Sequence, residues 1–127
     1  MTAITNKQNG VGATRILNAA LCSIMGFKAA WHYESAFRQE LVLSLLILPF
    51  SFVLATSMLE WALLIASVLL VLFAEILNSA IEALADSVTL DHHPLIGRAK
   101  DLGSAAVFLA LLILLVVWGQ AIVGIWL

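Results

Sequence analysis

Three stretches of the chain are apolar and free of charge, and a fourth alternates apolar with polar positions. Residues 41–59 and 102–127 contain no Asp, Glu, Lys or Arg, and neither do residues 61–74. About 20 apolar residues in helical form cross the hydrocarbon of a bilayer. The pattern therefore predicts three membrane-spanning helices, over about 35–58, 61–86 and 98–124. Pro49 lies inside the first and predicts a kink or an early end there. Glu60-Trp61 reads as a turn at an aqueous interface. Residues 87–97 read as a polar connection, with Asp91-His92-His93-Pro94 as its breaker. The fourth stretch, about 14–33, has Ile16, Leu17, Ala20, Leu21, Ile24, Phe27 and Trp31 recurring at three and four, with Arg15, Asn18, Ser23 and Lys28 among them. That period predicts an amphipathic helix lying on the cytoplasmic membrane surface rather than one packed into the bundle. The fold class expected is all-α, a single membrane domain over 1–127.

Composition supports this reading. The 127 residues are 63% hydrophobic and 11% charged, with mean hydropathy +1.08, whereas soluble domains are about 45–50% apolar and about 25% charged. Cys22 is alone and cannot form an internal disulfide. The polar start, residues 1–12, has no short apolar run before a cleavage site, so no signal peptide is expected. The basic residues Lys7, Arg15, Lys28, Arg38, Arg98 and Lys100 lie before residue 41 or between 97 and 101. By the positive-inside rule those ends face the cytoplasm, and the C-terminus and the 49–60 turn face the other side. Trp61, Trp118 and Trp126 then suit the outer interface, and Trp31 and Tyr33 the inner one. Small residues four apart, Ala62/Ala66 and Ala106/Ala110, would let helices approach closely, which favours a homo-oligomer.

The chemistry lies at the far end of the second span. At about 100° per residue, Glu75, Asn78, Ser79, Glu82 and Asp86 share one helix face. A carboxylate at the bilayer centre costs roughly 2.5 kcal/mol or more, so a stripe of them calls for a use. Two further polar clusters reach the same end: Glu34-Ser-Ala-Phe37-Arg38-Gln39-Glu40 and Arg98-Ala-Lys100-Asp101 with Ser104. Oxygen-only acidic ligands suit Mg²⁺, which takes one or two carboxylates plus substrate phosphates, and Lys and Arg suit phosphate oxygens. Together they indicate a cytoplasmic-side site for a metal-bound anion and leave the reaction unnamed. Structural roles compete for several of these residues: a Glu34–Arg38 ion pair, loop neutralisation by Asp86 and Asp101, interhelical bonding by Asn78, plain loop positions for His92 and His93, and turns or close packing for Gly97 and Gly103. No third His or Cys completes a zinc set, and no glycine-rich nucleotide loop occurs.

The run Glu75-Ile-Leu-Asn78-Ser79-Ala80-Ile81-Glu82-Ala-Leu-Ala85-Asp86 resembles the signature of the prokaryotic integral-membrane diacylglycerol kinases. Ala29-Ala-Trp31, Glu34 to Glu40 and Gly97-Arg-Ala-Lys100-Asp101-Leu-Gly103-Ser104 are similar to further motifs of that family, and the resemblance spans about 15–118. It implies a homotrimer of the bacterial inner membrane, with active sites shared between subunits, that moves the γ-phosphate of ATP to the primary hydroxyl of diacylglycerol and gives phosphatidic acid. It implies Glu75 as the base, Glu34 and Glu82 as Mg²⁺ ligands, and Asn78 as an orienting group. Nucleotide contacts would come from Arg15, Cys22, Gln39, Glu34, Glu82, Asp86, Asp91, His92, His93, Lys100 and Asp101. Lipid contacts would come from Arg15, Ala19, Ala20, Leu21, Cys22, Ser23, Ile24, Lys28, Ala29, Ala30, Trp31, Ala36, Phe37, Arg38, Gln39, Glu40, Glu75, Asn78, Ser104 and Trp118. No nucleic-acid partner is expected. Ala85 stands where the signature usually has a larger β-branched residue, and Asn18, Cys22 and Met25 stand where relatives often have basic or aromatic ones. Undecaprenol kinases share the fold and the acidic signature but carry an Arg-Ile-His segment where this chain has Arg38-Gln39-Glu40. A small proton-coupled transporter is the rival from another class.

Overall fold

A computed structural model describes residues 11–127. The expectation about a signal peptide, and Lys7 with it, lies outside the described residues. The described chain is helical throughout, with no strand among the described residues: α1 Ala13–Tyr33, α2 Ser35–Ile47, a 3₁₀ turn Leu48–Phe50, α3 Ser51–Leu54, α4 Met58–Val88 and α5 Pro94–Trp126. Three segments are long and apolar enough to cross a membrane: Ser35–Leu54, Met58–Val88 and Pro94–Trp126.

Pro49 does what its chemistry dictates. Its ring locks φ and it lacks an N–H, so α2 tightens into the 3₁₀ turn there before α3 resumes. Ser51 is fully buried and its Oγ donates to Leu48 O at 2.6 Å, which holds the bend. The first span therefore ends at Leu54 rather than near 58.

Glu60-Trp61 is not the turn that the sequence implied. The chain turns at residues 55–57, and Glu60 and Trp61 lie in the first turn of α4. Ser57 caps α4: its Oγ accepts from Glu60 N at 3.1 Å, and Glu60 Oε2 reaches back to accept from Thr56 N at 2.8 Å and Thr56 Oγ1 at 2.7 Å. This is a capping box displaced by one residue. It begins α4 three residues before the expected start. At its other end α4 runs on to Val88, and α5 starts at Pro94. The connection is thus shorter than 87–97. Pro94 takes the first helical position, where its missing N–H costs nothing.

α4 and α5 pack antiparallel along their length. Near the Ser57 end Leu64, Val68, Trp118 and Ala121 form a buried cluster, joined by Ile47, Leu48, Leu54 and Ala55. Further along, Val71, Ala74 and Ala110 form a second. Ala110 thus serves the contact within one chain, whereas Ala62, Ala66 and Ala106 face outward. Trp118 is a correction to the sequence reading: it is 7% exposed, and its Nε1 donates to Leu64 O at 3.3 Å and Ser67 Oγ at 3.2 Å. It is a core residue tying α5 to α4, not an interfacial anchor. Trp126 is 84% exposed, and Trp61 stacks on Phe52 at 5.6 Å.

α1 is exposed along nearly all its length and buries only Ala30. Ile16, Leu17, Leu21 and Met25 are exposed. An amphipathic helix in this condition suits the membrane surface predicted for it.

Candidate active site

α4 carries the acidic stripe from the interior of the bundle to its end. Glu75 is 5% exposed and Ser79 8%. Asn78 and Glu82 are half-buried, and Asp86 is exposed. The helical period puts these side chains on one face, and the neighbours of that face differ along its length. Glu75 lies against α2. Its carboxyl is within electrostatic reach of Glu82 and of Glu34, and Glu40 of α2 feels its charge in turn. Glu75 thus has acids of α2, α4 and the α1–α2 junction within electrostatic reach. One oxygen of Glu40 is buried without a hydrogen-bond partner.

Asn78 Nδ2 donates to Glu82 Oε1 at 3.1 Å, so the amide holds one carboxylate and sits between Glu75 and Glu82. Its Oδ1 is buried without a partner. Below, Lys100 of α5 donates to Asp86 at 2.5 Å. It is the one ion pair among the described residues. Side-chain exposures of 38% and 47% place the pair in solvent reach, where water screens it and it contributes little to stability.

The Glu34–Arg38 ion pair weighed from sequence does not form. Arg38 Nη1 instead donates to Trp31 O at 2.8 Å and His32 O at 3.1 Å, capping the last carbonyls of α1. Glu34 itself is the extended residue between α1 and α2. Arg38 thus fixes how α1 leaves the bundle. Two clefts flank the junction. One, about 730 Å³, is lined by Ile24, Phe27, Lys28, Trp31, His32, Phe37, Leu41 and Leu72. It is apolar with Lys28 at its side. The other, about 320 Å³, lies between Gly26, Ala29, Ala30, Tyr33 and Glu34 on one wall and Ile76, Ser79, Ala80 and Ala83 on the other.

The remaining residues singled out from sequence fall into four groups. Arg15, Ala19, Ala20, Leu21 and Cys22 lie on exposed α1, with Ser23 Oγ donating to Ala19 O at 3.0 Å. Ala36, Gln39, Asp91, His92, Asp101 and Ser104 are exposed around the same end of the bundle. His93 caps α5, its Nδ1 accepting from Leu95 N at 3.3 Å. Trp118 stands apart, more than two helical turns beyond Glu75 in the buried cluster with Leu64. Phe27, Leu41 and Leu72 line the larger cleft and were not anticipated, because an apolar residue on an apolar helix carries no local mark of a cleft.

Among the described residues no three acidic, His or Cys side chains converge on one metal position. The donor set nevertheless fits a hard divalent cation. Glu34 and Glu82 are carboxylates within electrostatic reach of Glu75, and among the described residues neither is in an ion pair. A Mg²⁺ held by one or two carboxylates takes its other oxygens from phosphate and water.

Fold and site define a small polytopic membrane protein with an acidic centre at one end of its helical bundle. Comparison with known proteins narrows this class. The sequence profile described as prokaryotic diacylglycerol kinase matches residues 21–122. The diacylglycerol kinase of Pseudomonas aeruginosa is 50% identical over 113 residues, covering 89% of this chain and 92% of that protein. That of Escherichia coli K12 is 48% identical over 110 residues, 87% and 90% of the two chains. That of Haemophilus influenzae is 45% identical over 108 residues, 85% and 92%. The chain belongs to the prokaryotic diacylglycerol kinase family.

Proposed function

We propose that this protein is an ATP-dependent diacylglycerol kinase of the bacterial inner membrane. It moves the γ-phosphate of ATP to the primary hydroxyl of diacylglycerol and gives phosphatidic acid. The observation that carries the proposal is the buried Glu75, 5% exposed, facing other acids and no cation among the described residues.

Phosphoryl transfer needs positioning and charge neutralisation more than covalent help from the protein. Glu75 takes the proton of the lipid hydroxyl as its oxygen attacks the γ-phosphorus. The bond from that phosphorus to the oxygen bridging to the β-phosphate breaks, and ADP leaves with the pair. Glu34 and Glu82 would hold Mg²⁺, which when bound would supply positive charge to neutralise the phosphates. Lys100 leaves Asp86 for a phosphate oxygen. Asp86, Asp101, Asp91, His92 and His93, with Arg15, Cys22 and Gln39, surround the nucleotide. The lipid lies along α1 and the larger cleft, against Ile24, Lys28, Trp31 and Phe37, with Glu40 beside Glu75 and Ser104 near the headgroup. Trp118 is left out of this set because its ring and Nε1 are committed to the α4–α5 core. Three chains complete the assembly, and the acidic end faces the cytoplasm with the C-terminus periplasmic.

The Arg38-Gln39-Glu40 segment favours diacylglycerol over a polyisoprenol. The test offers purified protein in mixed micelles Mg·ATP with diacylglycerol or undecaprenol and compares kcat/KM. The proposal expects diacylglycerol to lead by at least about ten-fold. A lead for undecaprenol would replace the substrate, and phosphorylation of neither would end the kinase reading.

A further inference from the structure

A glycine in the middle of a spanning helix needs a reason, since alanine is the better helix former. Gly26, Gly97, Gly119 and Gly124 show no local one: a Cβ at any of them meets nothing within 4 Å. Gly103 differs. It is buried on α5 where that helix crosses the acidic stripe, and a Cβ there would run into Asn78 Oδ1, with Asn78 Cγ at 3.3 Å and Asn78 Cα at 3.6 Å. The same Asn78 amide donates from Nδ2 to Glu82 Oε1 at 3.1 Å. A planar amide whose nitrogen faces Glu82 must turn its oxygen the other way, and that direction is toward Gly103. The oxygen has no conventional donor there. The glycine Cα–H that occupies the Cβ direction offers a weak one.

We infer that Gly103 is a positioning residue of the phosphotransfer centre: its missing side chain is the space in which the Asn78 amide is held with Nδ2 on Glu82. Glu82 reaches its cation-binding position through Asn78, and Asn78 through Gly103. A partner that orients a metal-binding group typically changes metal affinity 10–100-fold when lost. The inference rests on the kinase reading only for the identity of the cation site.

The experiment uses the full chain in detergent with ADP and titrates Mn²⁺, followed by electron paramagnetic resonance, so that binding is read without turnover. Gly103→Ala is expected to weaken Mn²⁺ binding by about ten-fold or more, and Gly97→Ala to leave it as in the wild type. Adding Gly103→Ala to Asn78→Ala should cause no further loss, because the atoms that the new methyl would strike are gone. An unchanged Mn²⁺ affinity in Gly103→Ala overturns the inference, as does a further ten-fold loss in the Asn78→Ala background. If Gly103→Ala does not fold, the double variant decides: folding restored with the affinity of Asn78→Ala supports the inference, and continued failure to fold overturns it. Wild-type protein that binds no Mn²⁺ also overturns it. Wild-type protein that binds Mn²⁺ but makes no phosphatidic acid ends the kinase reading and leaves the Gly103–Asn78–Glu82 linkage standing.

Discussion

Glu75 and Glu82 are seven residues apart on one helix, about 10 Å along its axis. The spacing separates two tasks. In the proposed mechanism Glu82, half-buried nearer the helix end, would meet a metal-bound phosphate arriving from water, while Glu75, buried against α2, would meet a hydroxyl arriving from the lipid. Asn78 bridges them in position and by hydrogen bond to Glu82. Glu34→Gln or Glu82→Gln should therefore raise the Mg²⁺ concentration for half-maximal activity several-fold, and an unchanged metal dependence would remove the residue from ligation. Lys100→Met should raise the KM for ATP by about ten-fold or more. Asp86→Asn should barely move thermal stability, because water screens an exposed pair; a Tm fall of many degrees would show that the pair is structural. The stripe was legible from period alone, since only 100° per residue brings five polar side chains to one face. The roles of Arg38 and Trp118 were not. Each is decided by a distant carbonyl or hydroxyl, the Trp31 and His32 carbonyls in one case and Ser67 Oγ in the other, and no local pattern announces such partners.

At the scale of elements, helix ends set the register of the site. The Ser57–Glu60 box fixes where α4 begins and so how far along it Glu75 and Glu82 lie. His93 and Pro94 fix where α5 begins, and so that Lys100 faces Asp86 and Gly103 faces Asn78. Ser57→Ala should cost about 1 kcal/mol, read as an earlier midpoint in denaturant titration, with kcat little changed because the cap is remote from the acids. A stability equal to wild type would show that Glu60 alone holds the turn. The Ser-x-x-Glu spacing was present in the sequence. Glu60-Trp61 nevertheless interrupts an apolar run and so looks like a boundary. The bend at Pro49, by contrast, followed directly from the lost N–H.

For the whole molecule, length is the informative quantity. α4 has 31 residues and α5 has 33, so at about 1.5 Å per residue both exceed the roughly 30 Å of hydrocarbon by several turns. The excess lets one helix hold Glu75 buried in the bundle and still carry Asp86 out to an exposed position. Exposed apolar faces on all the long helices fit lipid and neighbouring copies, so a detergent-corrected mass should give three chains, and an active monomer would contradict shared sites. Cys22 is exposed on α1. A membrane-impermeant maleimide should label it in inverted vesicles and not in intact spheroplasts, and the reverse pattern would invert the topology. Three spans and a surface helix could be read from hydropathy. How the acids of α2, α4 and the α1–α2 junction meet could not, because only the packing of α2 and α4 brings Glu40 and Glu34 to Glu75.

The most direct test of the central claim is the turnover of Glu75→Gln, which keeps the side-chain volume and removes the base. Phosphatidic acid formation should fall by about 10²–10⁴-fold, with assembly and ATP binding as in the wild type. Turnover within about ten-fold of wild type would show that the buried acid is not the group that takes the lipid proton.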